Sequence, residues 1–371
     1  MPSMTKTSSA IPHFAPRFLI AMASVGALAA PAEASQIGAV EPLAMVPETP
    51  GFPEGIAVSG TRIFVSSPAR FGTAGTGPST IHVFHKNTGA LLDTLSIQGE
   101  DLDQEHALTA IALDADERLY VLSTQLGVVR LEETKDGFVQ DIYSAPLPDL
   151  PTCSSVVAGE PCSLTSLDLP PLANDMAFDA DGNVFVTDSQ QGVIFRIPAG
   201  GNPEIWFQSA LFDPPMPPLP SLSLNGIRLS PDRSSVYVAL SFSGPLFPMG
   251  GILKLPLVDA PAETDMQIVH SYFGELPDGI AFGESGRLYV ALALSNQISV
   301  LGPDGSEINR IVTPAGAPVP FDAPANIAFD DAKKALLVTN HALLTGNPAN
   351  FAVLRVRVGE KGSPLEQPEI L

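Results

Sequence analysis

Six positions carry side chains that can act together although they lie far apart in the chain: Glu54, Thr109, Asn174, Asn225, Asp278 and Ala325. Each stands two residues before an apolar residue of a recurring phrase, namely Ile56, Ile111, Met176, Ile227, Ile280 and Ile327. Four of the six bear strong oxygen donors, two as carboxylates (Glu54, Asp278) and two as amide carbonyls (Asn174, Asn225). That set suits a hard divalent cation, Ca2+ before any other, because such ions take oxygen ligands and two negative charges neutralise the ion without large repulsion in its absence. Magnesium fits less well, since it prefers a small octahedral site with several waters, and zinc recruits His or Cys, which this set lacks. Turn chemistry also places Asn and Asp at strand entries. It does not favour Glu54, and it does not readily put four oxygen donors in one register. Gly55, Gly226 and Gly279 directly follow three of the donors, where a missing side chain lets backbone and ligand crowd together.

The phrase itself must bring these residues together. It reads PEGIAVSGTRIFVSS from Pro53, LTAIALDADERLYVLS from Leu108 and ANDMAFDADGNVFVTD from Ala173. It returns as LNGIRLSPDRSSVYVAL from Leu224, PDGIAFGESGRLYVAL from Pro277 and PANIAFDDAKKALLVTN from Pro324. Each copy is a short apolar strand, a turn rich in Asp, Gly and Ser, and a second strand dense in Val, Tyr, Phe and Leu, which is the pattern of a β-hairpin. The aligned apolar residues are 55, 65, 51, 53 and 47 residues apart, enough for four strands and their loops. Further strand pairs follow the hairpins, as at 81–84 with 90–97, 192–197 with 204–208, and 298–301 with 307–312. Six copies predict an all-β fold, a six-bladed β-propeller with four-stranded blades around a central cation site. The start of every innermost strand faces the axis in that fold. Two stacked sandwiches would not hold one hairpin in one phase six times.

The residues PEG at Pro53–Gly55, AND at Ala173–Asp175, LNG at Leu224–Gly226 and PDG at Pro277–Gly279 resemble the metal-site motifs of the senescence marker protein/gluconolactonase/luciferin-regenerating enzyme family. By its repeats the resemblance runs from about Pro53 to the C-terminus. It implies a six-bladed propeller with a central divalent cation, an architecture shared with the more distant paraoxonases and strictosidine synthase-like proteins, and it implies lactonase or related hydrolase activity. Carried over, Glu54, Asn225 and Asp278 resemble the family's three principal protein ligands, and Asn174 its substrate-contacting or fourth-ligand asparagine. The chain departs from the family at Thr109 and in lacking a recognisable arginine-rich substrate pocket. His106 is out of phase for a paraoxonase-type histidine pair.

A cation with open positions polarises a carbonyl for attack by water, so lactone or ester hydrolysis is the expected chemistry. It needs a proton acceptor at the open face. Asp278 is the first candidate, acting through a bound water as the resemblance suggests, with Asn174 beside the substrate. The second strand of each hairpin returns to the same end, so Asp188 and Asn340-His341 are expected to border the mouth, and His341 is the alternative base. Insertions at 66–80, 145–172, 212–222 and 241–251, rich in Leu, Phe, Met, Gly and Pro, are expected to form an apolar rim and to favour a hydrophobic small-molecule substrate. A non-catalytic propeller, with a structural cation and a face that binds a ligand or partner, is the competing reading.

The formal charge of -21 with only 19 basic residues and no basic cluster argues against nucleic-acid binding. Lys6 and Arg17 precede an apolar stretch at 18–30, and Ala32-Glu33-Ala34 supplies small residues for cleavage. Residues 1–34 therefore read as a signal peptide and 35–371 as one propeller domain, periplasmic or extracellular. A stretch of about 13 apolar residues is too short to span a bilayer, which takes roughly 20. Cys153 and Cys162, the only two cysteines, are expected to bridge in an oxidising compartment.

Overall fold

The computed structural model describes residues 36–219 and 221–370; the segment read as a signal peptide lies outside them. The described residues form six four-stranded antiparallel sheets. The inner strands of blades 1 to 6 are Ile56–Ser59, Leu108–Leu113, Ala173–Phe178, Leu224–Leu229, Pro277–Phe282 and Pro324–Asp330. Each lies beside the inner strand of the next blade, and the sixth lies beside the first, so the ring closes. The expected propeller is the fold. Cys153 and Cys162 are disulfide-bonded. Among the described residues no helix is long and apolar enough to cross a membrane.

The recurring hairpin has one local cause. A residue one or two positions before the second strand takes a left-handed backbone in all six copies: Gly60, Glu117, Gly182, Arg233, Gly286 and Lys334. Only three of these are glycine, so the other three depend on neighbouring bonds to hold a conformation that disfavours a side chain. In the second copy the preceding Asp supplies them, and the third copy, which has glycine there, makes the same turn. Asp114 Oδ1 accepts from the Asp116 and Arg118 N–H groups at 3.0 and 2.9 Å, and Asp179 Oδ1 accepts from Asp181 and Asn183 at 3.0 and 2.9 Å. These are Asx turns, the reason the phrase carries Asp where the chain reverses.

The core is spread between the blades rather than gathered on the axis. Tyr120 of blade 2 meets Phe178 of blade 3 edge-on, ring centres 5.0 Å apart, among Val184, Val186 and Phe195, all fully buried. Each large side chain sealed this way contributes about 1.5–3 kcal/mol. Blade 6 contains a strand that the hairpin pattern does not announce. Its three strands from the C-terminal end are completed by Val40–Met45 on the outside, with Val40 opposite Val356 and Met45 opposite Ala352. The first and last strands of the propeller are thereby joined by hydrogen bonds.

Candidate functional site

The six ring positions sit where the inner strands leave their ladders. In blades 3, 4, 5 and 6 the pairing of inner and second strand slips between Ala173 and Met176, Leu224 and Ile227, Pro277 and Ile280, and Pro324 and Ile327. Such bulges free side chains from the alternation of a regular strand and re-aim them. Asn174, Asn225, Asp278 and Ala325 all lie inside these slips. Sequence had suggested crowding at the following glycines, and it is present: a Cβ on Gly279 would fall 2.5 Å from the Asn326 Cα, and one on Gly226 would fall 2.6 Å from the Asp278 carbonyl oxygen.

Hydroxyl groups on the second strands pin this ring, a role that sequence reading missed. Thr187 Oγ1 accepts from the Asp175 N–H at 3.1 Å and donates to the Asn225 carbonyl in the next blade at 2.6 Å. Thr339 Oγ1 accepts from the Asn326 N–H at 2.9 Å and donates to the Glu54 carbonyl at 2.7 Å, across the seam where the ring closes. Ser241 Oγ accepts from Asn225 Nδ2 at 3.1 Å and donates to the Pro277 carbonyl at 2.9 Å. The signal was the Thr or Ser at or just past the end of VFVTD, LLVTN and SVYVALS.

Glu54, Thr109, Asn225 and Asp278 are all less than a tenth exposed, and Asn174 is half-buried. Asn174 Oδ1, Asp278 Oδ1 and Thr109 Oγ1 are buried with no hydrogen-bond partner among the described residues. Each such oxygen costs on the order of 1–3 kcal/mol. Burial, followed by the Asp175 charge, pushes the Asp278 carboxyl up to about 7, against the pull of the Gly279 N–H and the Asn225 amide. Glu54 is raised well above the usual carboxylate range by burial and then by the charges of Asp278 and Asp175. Two carboxylates near enough to repel, with no cation paired to either, fit a site that takes a positive ion. Among the described residues no three His, Cys, Asp or Glu side chains gather into a metal cluster. An ion here would therefore have to use the neutral oxygens of Asn174 and Asn225 as well, and Thr109 adds a hydroxyl that the sequence comparison had discounted.

The residues expected at the mouth divide. His341 is buried, not a surface residue. Its Nε2 lies 2.7 Å from the Ala69 carbonyl, which can only accept, so Nε2 carries the hydrogen. Nδ1 then presents its lone pair toward Glu54 Oε2, 3.8 Å away. Burial lowers the imidazole to about 4, so the ring is neutral near pH 7 and a weak base. Phe52 packs edge-on against it at 5.8 Å, and the Arg70 guanidinium lies over the Phe52 ring at 4.9 Å. Asp188 and Asn340 are at the expected end of their blades, but their side chains are spent on loops. Asp188 accepts from the N–H groups of Leu172, Gln190 and Gln191 and from Gln191 Nε2. Asn340 accepts from the Asp322 N–H and donates to the Pro320 and Asn350 carbonyls. His106 likewise anchors the 66–80 loop, through the Gly77 carbonyl at 3.0 Å.

One step below the ring lies an ion pair that sequence reading also missed. Asp175 Oδ2 accepts from Arg228 Nη1 at 2.7 Å and from the Ile227 N–H at 3.1 Å. Arg228 Nη2 donates to Asn326 Oδ1 at 3.0 Å, so the guanidinium ties blades 3, 4 and 6. The clue was Asp175 and Asn326 in the slot that three other copies fill with glycine.

Residues 80–342 match the family described as the SMP-30/Gluconolactonase/LRE-like region. This chain belongs to that family. No curated protein matches it. Among solved structures it is similar to a calcium-binding protein, regucalcin, from Agrobacterium tumefaciens, at 16% identity over 88% of this chain and 96% of that one, with a TM-score of 0.58. It is similar to a gluconolactonase from Xanthomonas campestris, at 16% identity over 87% and 98% with a TM-score of 0.52. It is also similar to a luciferin-regenerating enzyme, at 15% identity over 88% and 99% with a TM-score of 0.55. At these identities the likeness is one of fold. The segment matching the SMP-30/gluconolactonase-like family contains Asn174, Asn225, Asp278 and His341, and it begins after Glu54. The place of Glu54 in the ring therefore rests on geometry: its carbonyl is held by Thr339 across the closing seam.

Proposed function

We propose that this protein is an exported, calcium-dependent hydrolase of lactones or esters, with Glu54, Asn174, Asn225 and Asp278 as the ligands of one Ca2+. The observation that carries the reading is the set of buried ring oxygens without partners, beside two carboxylates that repel each other. Family membership supports the class of chemistry, since a solved relative is named a gluconolactonase and another a calcium-binding protein. When bound there, the cation supplies Lewis-acid polarisation of the substrate carbonyl. The chain supplies the rest. Asp278, the carboxylate at the ring's open face, takes the proton of the attacking water. Asn174 offers its amide N–H to the oxygen on which charge develops. His341 accepts a hydrogen bond at Nδ1 and orients water rather than acting as the base, because its imidazole is held so weakly basic.

The test is hydrolysis of short- and long-chain lactones and aryl esters, with and without chelator, paired with calcium titration. Wild-type protein should turn over at least one class of substrate and lose that activity with the ion. Asp278→Ala should abolish turnover and weaken calcium binding together. Asn174→Ala should reduce turnover more than affinity. Tight calcium binding with no hydrolysis across the panel would replace this reading by a structural cation. Export is checked separately: the mature chain should begin near Ser35 by mass spectrometry, and an intact N-terminus on secreted material would remove it.

A further inference from the structure

We propose that the lower half of the central channel is a second ligand site, a chamber for a medium-chain aliphatic carboxylate whose head group sits on Arg228. The chamber has a volume of about 390 Å³, and the ring residues are not part of its wall. Its sides are the inner-strand residues below the ring, among them Val58, Ala112, Phe178, Leu229, Phe282 and Phe329. Val58, Ala112, Leu229 and Phe329 are only half-buried although they lie along the axis of the propeller, because they face this space and not one another. Protein interiors are otherwise close-packed.

The polar groups are few and select a sign. Three cations (Lys86, Arg228, Arg233) and two carboxylates (Asp331, Glu366) line the chamber, in a chain whose formal charge is -21. Four of these five are engaged at the rim. Lys86 pairs with Asp330 at 3.6 Å, Arg233 pairs with Glu366, and Asp331 accepts from the Gly362 N–H at 2.9 Å. Arg228 sits at the inner end. Its Nη1 serves Asp175 and the Ile227 carbonyl and its Nη2 serves Asn326, while no hydrogen bond runs from Nε–H among the described residues, and Arg228 lines the chamber. Guanidinium donors left free beside the apolar side chains of the inner strands match a carboxylate head with a hydrocarbon tail. The volume suits a tail of about eight to twelve carbons. Residues 362–367 form part of the wall on the open side, held by Ser363 N–H to the Phe282 carbonyl at 2.8 Å and by the Arg233–Glu366 pair. This C-terminal strap covers the tail end of the ligand.

The experiment is calorimetric titration of the full chain with sodium decanoate and, as a sign control, decyltrimethylammonium. Decanoate should bind one saturable site per chain and the ammonium should not. Arg228→Met should weaken binding by about tenfold or more. Ala328→Phe, which fills the chamber without touching the ring or Arg228, should abolish binding while thermal unfolding remains cooperative, so the result does not depend on how well Arg228→Met folds. No saturable decanoate binding to the wild type would overturn the proposal. Equal binding of the ammonium would overturn the role of Arg228. Binding that survives Ala328→Phe but is lost in Asp278→Ala would put the acid at the ring instead. Loss of the hydrolase reading alone would leave decanoate binding intact.

Discussion

Asp175 and Asp278 are both buried carboxylates near the propeller axis, in blades 3 and 5, and they are held in opposite ways. Asp175 has a guanidinium at 2.7 Å and a backbone N–H at 3.1 Å. Asp278 has a buried oxygen with no partner and a carboxyl pushed up to about 7. The same fold, at neighbouring levels of one channel, thus completes one carboxylate and leaves the other open. A completed buried pair locks blades together and is unavailable for chemistry. An open carboxylate facing another carboxylate weakens the fold and is the feature on which the proposed cation site rests. The contrast separates structure from function along a single axis.

The largest expected effect would break the paired side of that comparison. Arg228→Met leaves Asp175 buried without its counter-charge and unties three blades, and it should cost about 3–5 kcal/mol in urea unfolding. A loss below about 1 kcal/mol would mean that the pair is incidental. Next comes the open side. Asp278→Asn removes an unpaired buried charge, so in the absence of calcium it should be as stable as the wild type or more so, while its calcium affinity falls by at least about 100-fold. The stability difference should also depend on pH with a definite sign. The folded wild type keeps the Asp278 proton up to about 7, whereas an unfolded Asp loses it near ~3.9. Between these values the folded state binds more protons, so the wild type loses stability as pH rises. The Tm advantage of Asp278→Asn should therefore widen from about pH 4 to about pH 7, and buried histidines such as His82 and His341, present in both proteins, cancel from the difference. A constant gap would show that Asp278 is not held protonated. The smallest effect sharpens the role of the hydroxyl pins. Thr339→Val removes one bond to the Glu54 carbonyl and one from the Asn326 N–H, and it should lower stability by about 1–3 kcal/mol. It should weaken calcium binding less than Asp278→Asn, since no donor is lost.

The propeller was legible in the sequence, and with it the level at which the candidate site residues stand. The six-fold phrase fixes strand, turn and strand by alternation and by Asp, Gly and Ser at the reversal, all of which are local properties of the chain. Its phase puts Glu54, Asn174, Asn225 and Asp278 at one level, because equivalent positions of a repeat occupy equivalent places. Other features belong to the closed ring alone. Val40–Met45 has no repeat of its own and becomes a strand only by pairing with Ala352–Arg357. Asp188 and Asn340 look free in sequence, yet they are consumed by loops that fold back onto them. His341 looks like a surface residue, and burial near Glu54 makes it neutral. Arg228 stands three residues beyond the LN of its own copy, and nothing local says that its guanidinium meets Asp175, 53 residues earlier, and Asn326, 98 residues later. Repetition within the chain determined which residues share a level. Which of them are paired, and which are left open for a ligand, depended on contacts between blades that form only when the ring closes.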